Sequence, residues 1–320
     1  FSYQKVNDLV GTIMEEVKTK GDQALYTYTK EFDQVVLSNM KISKEEINKA
    51  FELLPNDLIE DIKKAKENLI KYHKQQVPSP YTIEEKDRLL SQLVRPIERV
   101  GMYVPGGSAA YPSTVLMNAI PATLAGVEKL IMITPPQKDG IKASLLVAAE
   151  LAGVDEIYTI GGAQGIAALT YGTESIPKVD KIVGPGNIYV SIAKQYASGL
   201  VGIDMVAGPS EILVLADEDA NPAYIAADLM GQAEHDKLAS AICITTSSTL
   251  AVKIKEELEQ QIVKMPRKDI IKESLENYGA IIVVDSMEEG IDLVNILAPE
   301  HLELSLKNPD QYLGQIKHAG

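Results

Sequence analysis

The sequence predicts an α/β protein with two units built on parallel β-sheets and preceded by helices. Three observations support this prediction. Apolar strand segments alternate with Ala-rich helical segments between residues 98 and 209, which is typical of βαβ units. A second alternation of strand and helix patterns begins near residue 210. Residues 1–76 carry apolar side chains at the 3.6-residue spacing of amphipathic helices.

The composition limits the classes of function. The 320 residues include 31 Lys and Arg against 45 Asp and Glu, a formal net charge of -14, and 45% are hydrophobic. The acidic balance argues against a nucleic-acid partner, and no apolar run approaches the ~20 residues of a membrane span. The single cysteine excludes an internal disulfide. With no secretion signal in the sequence, these features predict a soluble cytoplasmic protein.

The first elements are expected to be helices. Ser43 and Glu46 have capping-box spacing and open an amphipathic run that Pro55 ends. A longer charged helix is expected after Pro55. Residues 81–97 alternate between apolar and polar side chains, which favours strands or a hairpin.

The next segment predicts a parallel sheet. Leu-Ala-Gly at 124–126 and at 151–153 suits the ends of two helices. Because strands alternate with helices here, right-handed parallel connections are expected. The predicted strands are 98–104, 127–133, 154–160 and 179–185.

Glycine-rich segments follow three of these strands. They read Pro-Gly-Gly-Ser at 105–108, Gly-Gly-Ala-Gln at 161–164 and Gly-Pro-Gly-Asn at 184–187. Loops at the carboxyl ends of parallel strands line the ligand crevice, and glycines there let the backbone approach a phosphate. Such residues also form ordinary tight turns, but three loops at one edge favour a nucleotide or dinucleotide cleft. The standard Gly-x-Gly-x-x-Gly fingerprint is absent.

Residues from 210 onward predict a second α/β unit. Asn221 and Pro222 have the cap and first-turn positions of a helix start. The expected strands are 211–215, 241–246 and 280–284, and the expected helices are 223–237, 251–263 and 287–297.

Two residue pairs are candidates for chemistry. Gln232 and His235 are three apart on the expected helix, so their side chains would share a face and form half of a metal site. An ordinary polar helix face is the alternative, and the spacing alone favours it. Glu300 and His301 are neighbours of the types that act as general acid and base. Apolar residues around this second pair predict its partial burial.

Two potential nucleophiles, a cysteine and a serine, are not predicted to be catalytic. Cys243 lies between Ile242 and Ile244 and is expected to be a buried core thiol. Ser210 follows Gly208 and Pro209 but lacks the closing glycine of a Gly-x-Ser-x-Gly motif, which argues against a serine hydrolase.

Long motifs span most of the chain. They are Arg99-Val-Gly-Met-Tyr-Val-Pro-Gly-Gly, Tyr111-Pro-Ser-Thr-Val-Leu-Met-Asn-Ala-Ile-Pro-Ala, Gly161-Gly-Ala-Gln, Val183-Gly-Pro-Gly-Asn, Ala207-Gly-Pro-Ser-Glu, Gln232-Ala-Glu-His-Asp and Ala298-Pro-Glu-His-Leu-Glu. Together these motifs resemble the histidinol dehydrogenase family. That resemblance implies the aldehyde-dehydrogenase-like topology and a homodimer. It also implies oxidation of L-histidinol to L-histidine through histidinal with NAD⁺ and Zn²⁺, the last step of histidine biosynthesis.

The resemblance implies NAD contacts in the first sheet region. The matching positions are Tyr103, Gln164 and Asn187, each next to or within a glycine-rich segment. Ser210 matches a position that binds the substrate.

In the second unit, the resemblance implies metal and acid–base roles. Gln232 and His235 match zinc ligands that also face the substrate. The resemblance therefore favours a metal site over the ordinary polar helix face that the spacing alone favours. Glu300 and His301 match the acid–base pair, and His301 also matches a substrate-binding position.

The resemblance also implies a domain arrangement. Residues 1–100 and 210–320 would form one domain, and 101–209 the NAD-binding domain. The family's remaining zinc ligands, an Asp and a His, and a further substrate-binding Glu lie beyond Gly320. The 320 residues alone are therefore expected to fold, to be inactive and to hold zinc below one ion per chain.

Two other functions remain open from the sequence. One is a non-catalytic nucleotide-binding or scaffold protein that has kept the fold. The other is oxidation of a sulfo-sugar or another polyol by an enzyme of the same superfamily. Zinc-dependent NADH production from histidinol separates the first from an enzyme, and a substrate panel tests the second.

Overall fold

The computed structural model describes residues 3–106, 111–206 and 208–320. The chain divides into two compact units, Phe1–Ala207 and Gly208–Gly320. We call them the N-terminal unit and the C-terminal unit.

Helices open the N-terminal unit, as the sequence predicts. Ser43 Oγ accepts a hydrogen bond from the Glu46 N–H at 3.2 Å, and Glu46 Oε2 accepts one from the Ser43 N–H at 2.8 Å, which confirms the capping box. A π-helical turn, Thr29–Asp33, follows the second helix, and a 3₁₀ turn, Lys74–Gln76, follows the fourth. The helices are α1 (Tyr3–Lys20), α2 (Asp22–Tyr28), α3 (Lys44–Leu53) and α4 (Asn56–His73).

The predicted hairpin follows these helices. Strands β1 (Tyr81–Glu85) and β2 (Arg88–Gln92) pair antiparallel, and every residue in them is exposed. Ile83 lies opposite Leu90, and both are about half exposed. The hairpin therefore presents apolar side chains to solvent.

Parallel strands of the N-terminal unit form one sheet, which we call the N-terminal sheet. Its order in the described residues is β5-β4-β3-β6-β7. The four predicted strands are present, and the two-residue β7 was not predicted because it is too short to show a pattern. The strands are β3 (Arg99–Tyr103), β4 (Lys129–Ile133), β5 (Glu156–Tyr158), β6 (Lys181–Val183) and β7 (Gly202–Ile203), and the helices between them are α5 (Pro112–Leu124), α6 (Ala143–Ala152), α7 (Gly162–Tyr171) and α8 (Ile188–Ala197).

Helices cover both faces of this sheet. On one face, α1 packs against α7 and α8, and Val10 and Ile13 of α1 are buried in the shared core. On the other face, Ile59 and Ile62 of α4 join the core formed by α5 and α6. Residues 1–100 therefore belong to the same compact unit as 101–207, whereas the sequence-based grouping joined them to 210–320.

The order of the N-terminal sheet places β3 beside β6. The chain enters at β3, continues outward through β4 and β5, and then returns to the other side of β3 with β6. Ligands of open α/β sheets bind beyond the carboxyl ends of the strands at such a reversal. Here Gly184, just after β6, adopts φ +107°, and a Cβ on it would collide with the carbonyl oxygen of Tyr103. Glycine at this position thus lets the two strand ends approach closely.

A second parallel sheet forms the C-terminal unit, and we call it the C-terminal sheet. Its order is β10-β9-β8-β11 in the described residues. No helix in these residues is long and apolar enough to cross a membrane. The strands are β8 (Glu211–Ala216), β9 (Ser240–Thr245), β10 (Gly279–Val283) and β11 (His301–Ser305), and the helices are α9 (Pro222–Ala233), α10 (Ser248–Ile262), α11 (Lys268–Tyr278), α12 (Met287–Leu297) and α13 (Asp310–Leu313).

The predicted fold class is confirmed, but the C-terminal unit differs from the sequence-based expectation in several elements. Helix α9 ends at Ala233 rather than near residue 237. It ends because the His235 N–H bonds the Gln232 carbonyl at 3.1 Å, and Asp236 Oδ1 then accepts the Leu238 N–H at 2.8 Å, so a turn leads into β9. Helices α11 and α13 and strand β11 were not predicted.

Replacing Gly184 tests the close approach of β3 and β6. Gly184→Ala should lower the free energy of unfolding by about 3 kcal/mol, because left-handed strain and a steric clash with backbone add. The matched control is Gly199→Ala, where φ is +92° and an added Cβ would meet no atom of the described residues within 4 Å beyond its chain neighbours. It should cost only about 1 kcal/mol. Urea unfolding measures both, and equal losses would mean that the Tyr103 carbonyl imposes no constraint.

Candidate functional site

Candidate residues of the N-terminal unit meet at the carboxyl end of its sheet. Tyr103 is the last residue of β3, Gly162 opens α7 after β5, and Asn187 is the N-cap of α8 after β6. The loops predicted to line a nucleotide cleft are thus brought to one edge. Of the first loop, Gly107 and Ser108 lie outside the described residues.

Tyr103 and Gln164 are buried at this edge. Tyr103 is 3% exposed, and its hydroxyl oxygen accepts the Gly162 N–H at 3.4 Å. Burial raises the pKa of Tyr103 to about 12, and the charge of Asp33 adds to the shift. The hydroxyl therefore stays protonated at neutral pH and keeps a proton to donate. Gln164 is 2% exposed and lies against Gly162.

Asn187 is exposed and has a structural role that the sequence did not reveal. Its Oδ1 accepts the N–H groups of Tyr189 and Val190 at 3.1 and 3.2 Å, so it caps α8. The cap occupies the oxygen and leaves Nδ2 as a donor beside the positive end of the helix. This arrangement suits a phosphate or another anionic group.

Lys194 and Asp204 also act at this edge, and sequence reasoning missed both. Lys194 is 2% exposed and forms an ion pair with Asp204. Its Nζ donates to the Gly184 carbonyl at 3.0 Å, and Asp204 Oδ2 accepts the Gly184 N–H at 2.8 Å. The available signal was the position of Lys194, four residues after the buried Val190 on α8.

Asp33 is a second residue that the sequence did not single out. It ends the π-helical turn, and no described group is a hydrogen-bond partner of its buried Oδ2. Burial raises the pKa of Asp33 to about 6. A carboxyl group with such a shift is held ready to release a proton or to accept hydrogen bonds near neutral pH.

The candidates of the C-terminal unit meet at the opposite end of their own sheet. Ser210 precedes β8, and His301 begins β11, which lies beside β8 with His301 opposite Ile212. Gln232 is in the last turn of α9. These residues therefore gather at the amino ends of the strands. Ala207, which begins the motif containing Ser210, lies outside the described residues.

The backbone of Glu211 holds the Glu300–His301 pair. His301 Nδ1 is 3.0 Å from the Glu211 carbonyl oxygen, and Glu300 Oε2 accepts the Glu211 N–H at 3.3 Å. Because a carbonyl oxygen only accepts, this contact assigns the hydrogen to Nδ1 and the lone pair to Nε2. The Glu300 carboxylate is 3.5 Å from the same Nδ1.

The pair is less buried than its apolar neighbours predict. The side chains of Glu300 and His301 are 46% and 56% exposed. Ile296 and Leu297, which belong to the expected apolar frame, are exposed themselves. The sequence pattern therefore overestimated the burial.

Gln232 lies close to His301, with its amide nitrogen 3.5 Å from His301 Nδ1. His235 lies exposed in the turn after α9, which ends at Ala233, so the expected helix carries only the first of the two residues. The shared role of Gln232 and His235 as zinc ligands stays a prediction.

The described side chains do not complete a zinc site. No group of three or more His, Cys, Asp or Glu in the described ranges is placed to hold a metal ion. Gln232 and His235 supply one amide and one imidazole, whereas zinc takes three or four protein ligands.

Two further observations define the chemistry of the C-terminal unit. Burial and the neighbouring Asp228 carboxylate raise the pKa of Glu303, which lies two residues after His301 on β11. Cys243 is fully buried in β9, and burial raises its pKa to about 12. It is a core thiol, as predicted.

Comparison with known proteins identifies relatives of the chain. The family model described as histidinol dehydrogenase matches residues 1–320. The histidinol dehydrogenase of Bacillus cereus is 55% identical over 318 residues, 99% of this chain and 74% of that protein. The histidinol dehydrogenase of Clostridium acetobutylicum is 56% identical over 310 residues, 96% of this chain and 72% of that protein.

Solved structures show the same relationship at the level of the fold. The crystal structure of histidinol dehydrogenase from Elizabethkingia anophelis has a TM-score of 0.93 and 43% identity, and the match covers 98% of this chain and 73% of that one. An acetylating aldehyde dehydrogenase from Geobacillus thermoglucosidasius has a TM-score of 0.50 and 16% identity, covering 99% and 86%. The second likeness shows the shared topology alone.

Asp33→Asn should remove a pH-dependent loss of stability. The folded-state pKa of Asp33, about 6, exceeds its ordinary value of 3.8. The folded chain therefore keeps a proton that the unfolded chain loses, and the free energy of unfolding falls as pH rises from about 4 to 6. After discounting for partial exposure, we expect Asp33→Asn to be more stable than the wild type by about 1 kcal/mol at pH 7 and equal to it at pH 3.5. Urea unfolding across this range measures the difference.

The control is Glu31→Gln, which removes an exposed carboxylate from the same π-helical turn. The stability difference between Asp33→Asn and the wild type should change with pH by more than the difference for Glu31→Gln does. A parallel pH dependence in both variants would contradict the role assigned to Asp33.

Proposed function

The chain belongs to the histidinol dehydrogenase family, and we propose that it oxidises L-histidinol to L-histidine through histidinal with NAD⁺ as the electron acceptor. Family membership makes it a dehydrogenase of histidine biosynthesis. The observation that carries the finer proposal is the Glu300–His301 pair held on the backbone of Glu211. That arrangement leaves a lone pair on Nε2 of His301 and places the Glu300 carboxylate near Nδ1 of the same ring.

The proposed NAD⁺ site is the carboxyl end of the N-terminal sheet. The strand order, which reverses between β3 and β6, supports this location. Asn187 would donate through Nδ2, Tyr103 through its hydroxyl, and the first turn of α8 would face the pyrophosphate. When bound, NAD⁺ supplies a hydride acceptor. Because Gln164 is 2% exposed, its contact would need a side-chain rearrangement.

His301 is the proposed base of the first oxidation. Its Nε2 takes the proton of the carbinol hydroxyl while the hydride leaves the adjacent carbon. The Glu211 carbonyl fixes the ring through Nδ1–H, and the Glu300 carboxylate at 3.5 Å stabilises the imidazolium that forms. The O–H and C–H bonds of the alcohol break, the C=O bond of the aldehyde forms, and the two electrons leave with the hydride.

Glu300 is the proposed base of the second oxidation. Its carboxylate takes a proton from the water that adds to the histidinal carbonyl, and the hydrate then loses a second hydride. Ser210, beside Glu211 at the start of β8, is proposed to bind the substrate. Its partly buried position at the amino end of the sheet supports that role.

Zinc is part of the proposal only in a limited form. When bound, zinc would position the imidazole and amine of the substrate. Gln232 and His235 are the proposed ligands from this chain, and the described residues do not complete the site. The proton transfers are therefore assigned to His301 and Glu300 alone.

We also propose a cytoplasmic homodimer. The exposed apolar side chains of the hairpin, including Tyr81, Ile83 and Leu90, support an assembly in which they are covered. A biosynthetic role and a single buried cysteine support a reducing compartment.

A substrate assay tests the proposed reaction. The native protein, supplied with zinc and NAD⁺, should form two NADH per L-histidinol consumed and should oxidise supplied histidinal. Polyols and sulfo-sugars should give less than one hundredth of the rate. NADH formation from a polyol alone would shift the assignment within the superfamily, and no reaction with any substrate would favour a binding protein.

Glu300→Gln should separate the two oxidations. We expect at least a hundredfold loss in the oxidation of supplied histidinal and less than a tenfold loss in the alcohol step, because only the second step activates water. Glu211→Gln is the matched control, since Glu211 holds the pair through its backbone. Stopped-flow NADH absorbance measures each half-reaction, and equal losses in both would remove water activation from Glu300.

A further inference from the structure

The loop after β6 depends on a buried charge that no step of the proposed reaction uses. The Lys194 side chain is 3% exposed, and that of Asp204 is 30% exposed. Removing a lysine from water is costly unless it is paired and hydrogen-bonded. The partners of Lys194 are the Asp204 carboxylate and the Gly184 carbonyl, and these two contacts offset the cost of burying its charge.

Gly184 is the residue at which the chain leaves strand β6. Both polar backbone groups of Gly184 are held by the ion pair, the carbonyl by Lys194 and the N–H by Asp204. Asp204 Oδ1 also accepts the Met205 N–H at 2.6 Å, so the carboxylate is fixed by its own segment. These two hydrogen bonds hold the backbone of Gly184 beside the Tyr103 carbonyl.

The same lysine belongs to the helix that the loop introduces. Lys194 lies seven residues after Asn187, about two turns or 10 Å along α8. The loop is therefore tied at its start, at Gly184, to a residue within the helix that begins at its end. This closes a ring around the loop and fixes the amino end of α8 relative to β6.

We propose that the Lys194–Asp204 pair positions the Asn187 amide and the amino end of α8 for the pyrophosphate of NAD⁺. This inference rests on the proposed function, in which NAD⁺ binds at this edge. Lys194 and Asp204 are positioning residues, because they act through the backbone of Gly184. A buried ion pair adds little to stability compared with apolar residues of similar size, so its effect should fall on cofactor affinity.

Two variants test the pair in the native, zinc-supplied protein. Lys194→Met keeps an unbranched side chain, one heavy atom shorter, and removes the charge. The double variant Lys194→Met, Asp204→Leu also removes the unpaired carboxylate, so it remains informative if the single variant folds poorly. The control is Lys129→Met, which breaks the Lys129–Glu156 ion pair at the opposite end of the same sheet.

The measurements are the Kd of NAD⁺ by titration, the KM of NAD⁺, the KM of histidinol and the melting temperature. We expect the Kd and KM of NAD⁺ to rise at least tenfold in both pair variants. The KM of histidinol should stay within twofold in every variant. The double variant should regain the wild-type melting temperature without regaining NAD⁺ affinity, and Lys129→Met should leave the Kd unchanged.

A Kd within twofold of the wild type in the folded pair variants, or an equal rise in Lys129→Met, would overturn the inference. Asn187→Ser separates that failure from failure of the proposed site, because serine keeps the helix cap and removes the Nδ2 donor. If Asn187→Ser raises the Kd and the pair variants do not, the site stands and the positioning role is wrong. If Asn187→Ser has no effect, the proposed NAD⁺ site is wrong and the inference is overturned with it.

Discussion

The contact between the α-carbon of Gly184 and the carbonyl of Tyr103 is the constraint on which the N-terminal unit depends. A Cβ at residue 184 would collide with the Tyr103 carbonyl oxygen, and the φ of +107° is one that residues other than glycine rarely adopt. Because the contact brings the ends of β3 and β6 together, the Tyr103 hydroxyl and the cap of α8 occupy the same edge. A side chain at residue 184 would separate these elements. The close approach of the ends of β3 and β6 therefore places the polar side chains of the proposed cofactor site.

The two units share a strand order but use it differently. In each parallel sheet, the first strand along the chain (β3 or β8) lies in the interior of the sheet. The next two strands follow on one side of it, and the fourth lies on its other side. The N-terminal unit presents its candidate residues at the carboxyl ends of the strands. The C-terminal unit gathers its candidates at the amino ends, where the Glu211 backbone, at the start of β8, holds both Glu300 and His301 from the start of β11. Parallel pairing of β8 with β11 makes that contact possible.

Much of this fold could be predicted from local patterns. The Ser43–Glu46 capping box, the apolar strands and the glycine-rich loops each follow from a few neighbouring residues, and the parallel arrangement follows from their alternation. The ion pair of Lys194 could not be predicted, because its partners, Gly184 and Asp204, meet it only in the folded sheet. The end of α9 was missed because a downstream turn at Asp236, rather than the apolar periodicity, sets it.

Likewise, the part of the candidate site that follows from local patterns could be predicted, and the part that depends on contacts made in the fold could not. Loops at one edge of a parallel sheet follow from topology, so Tyr103 and Asn187 could be placed beforehand. The exposure of the Glu300–His301 pair could not, because Ile296 and Leu297 do not cover it. Amide hydrogen exchange of the chain with and without NAD⁺ tests whether the cofactor binds at the carboxyl end of the N-terminal sheet. We expect NAD⁺ to slow exchange at residues 103–106, 161–166 and 184–190. Protection confined to 216–222 and 245–250, the corresponding strand ends of the C-terminal sheet, would contradict this location.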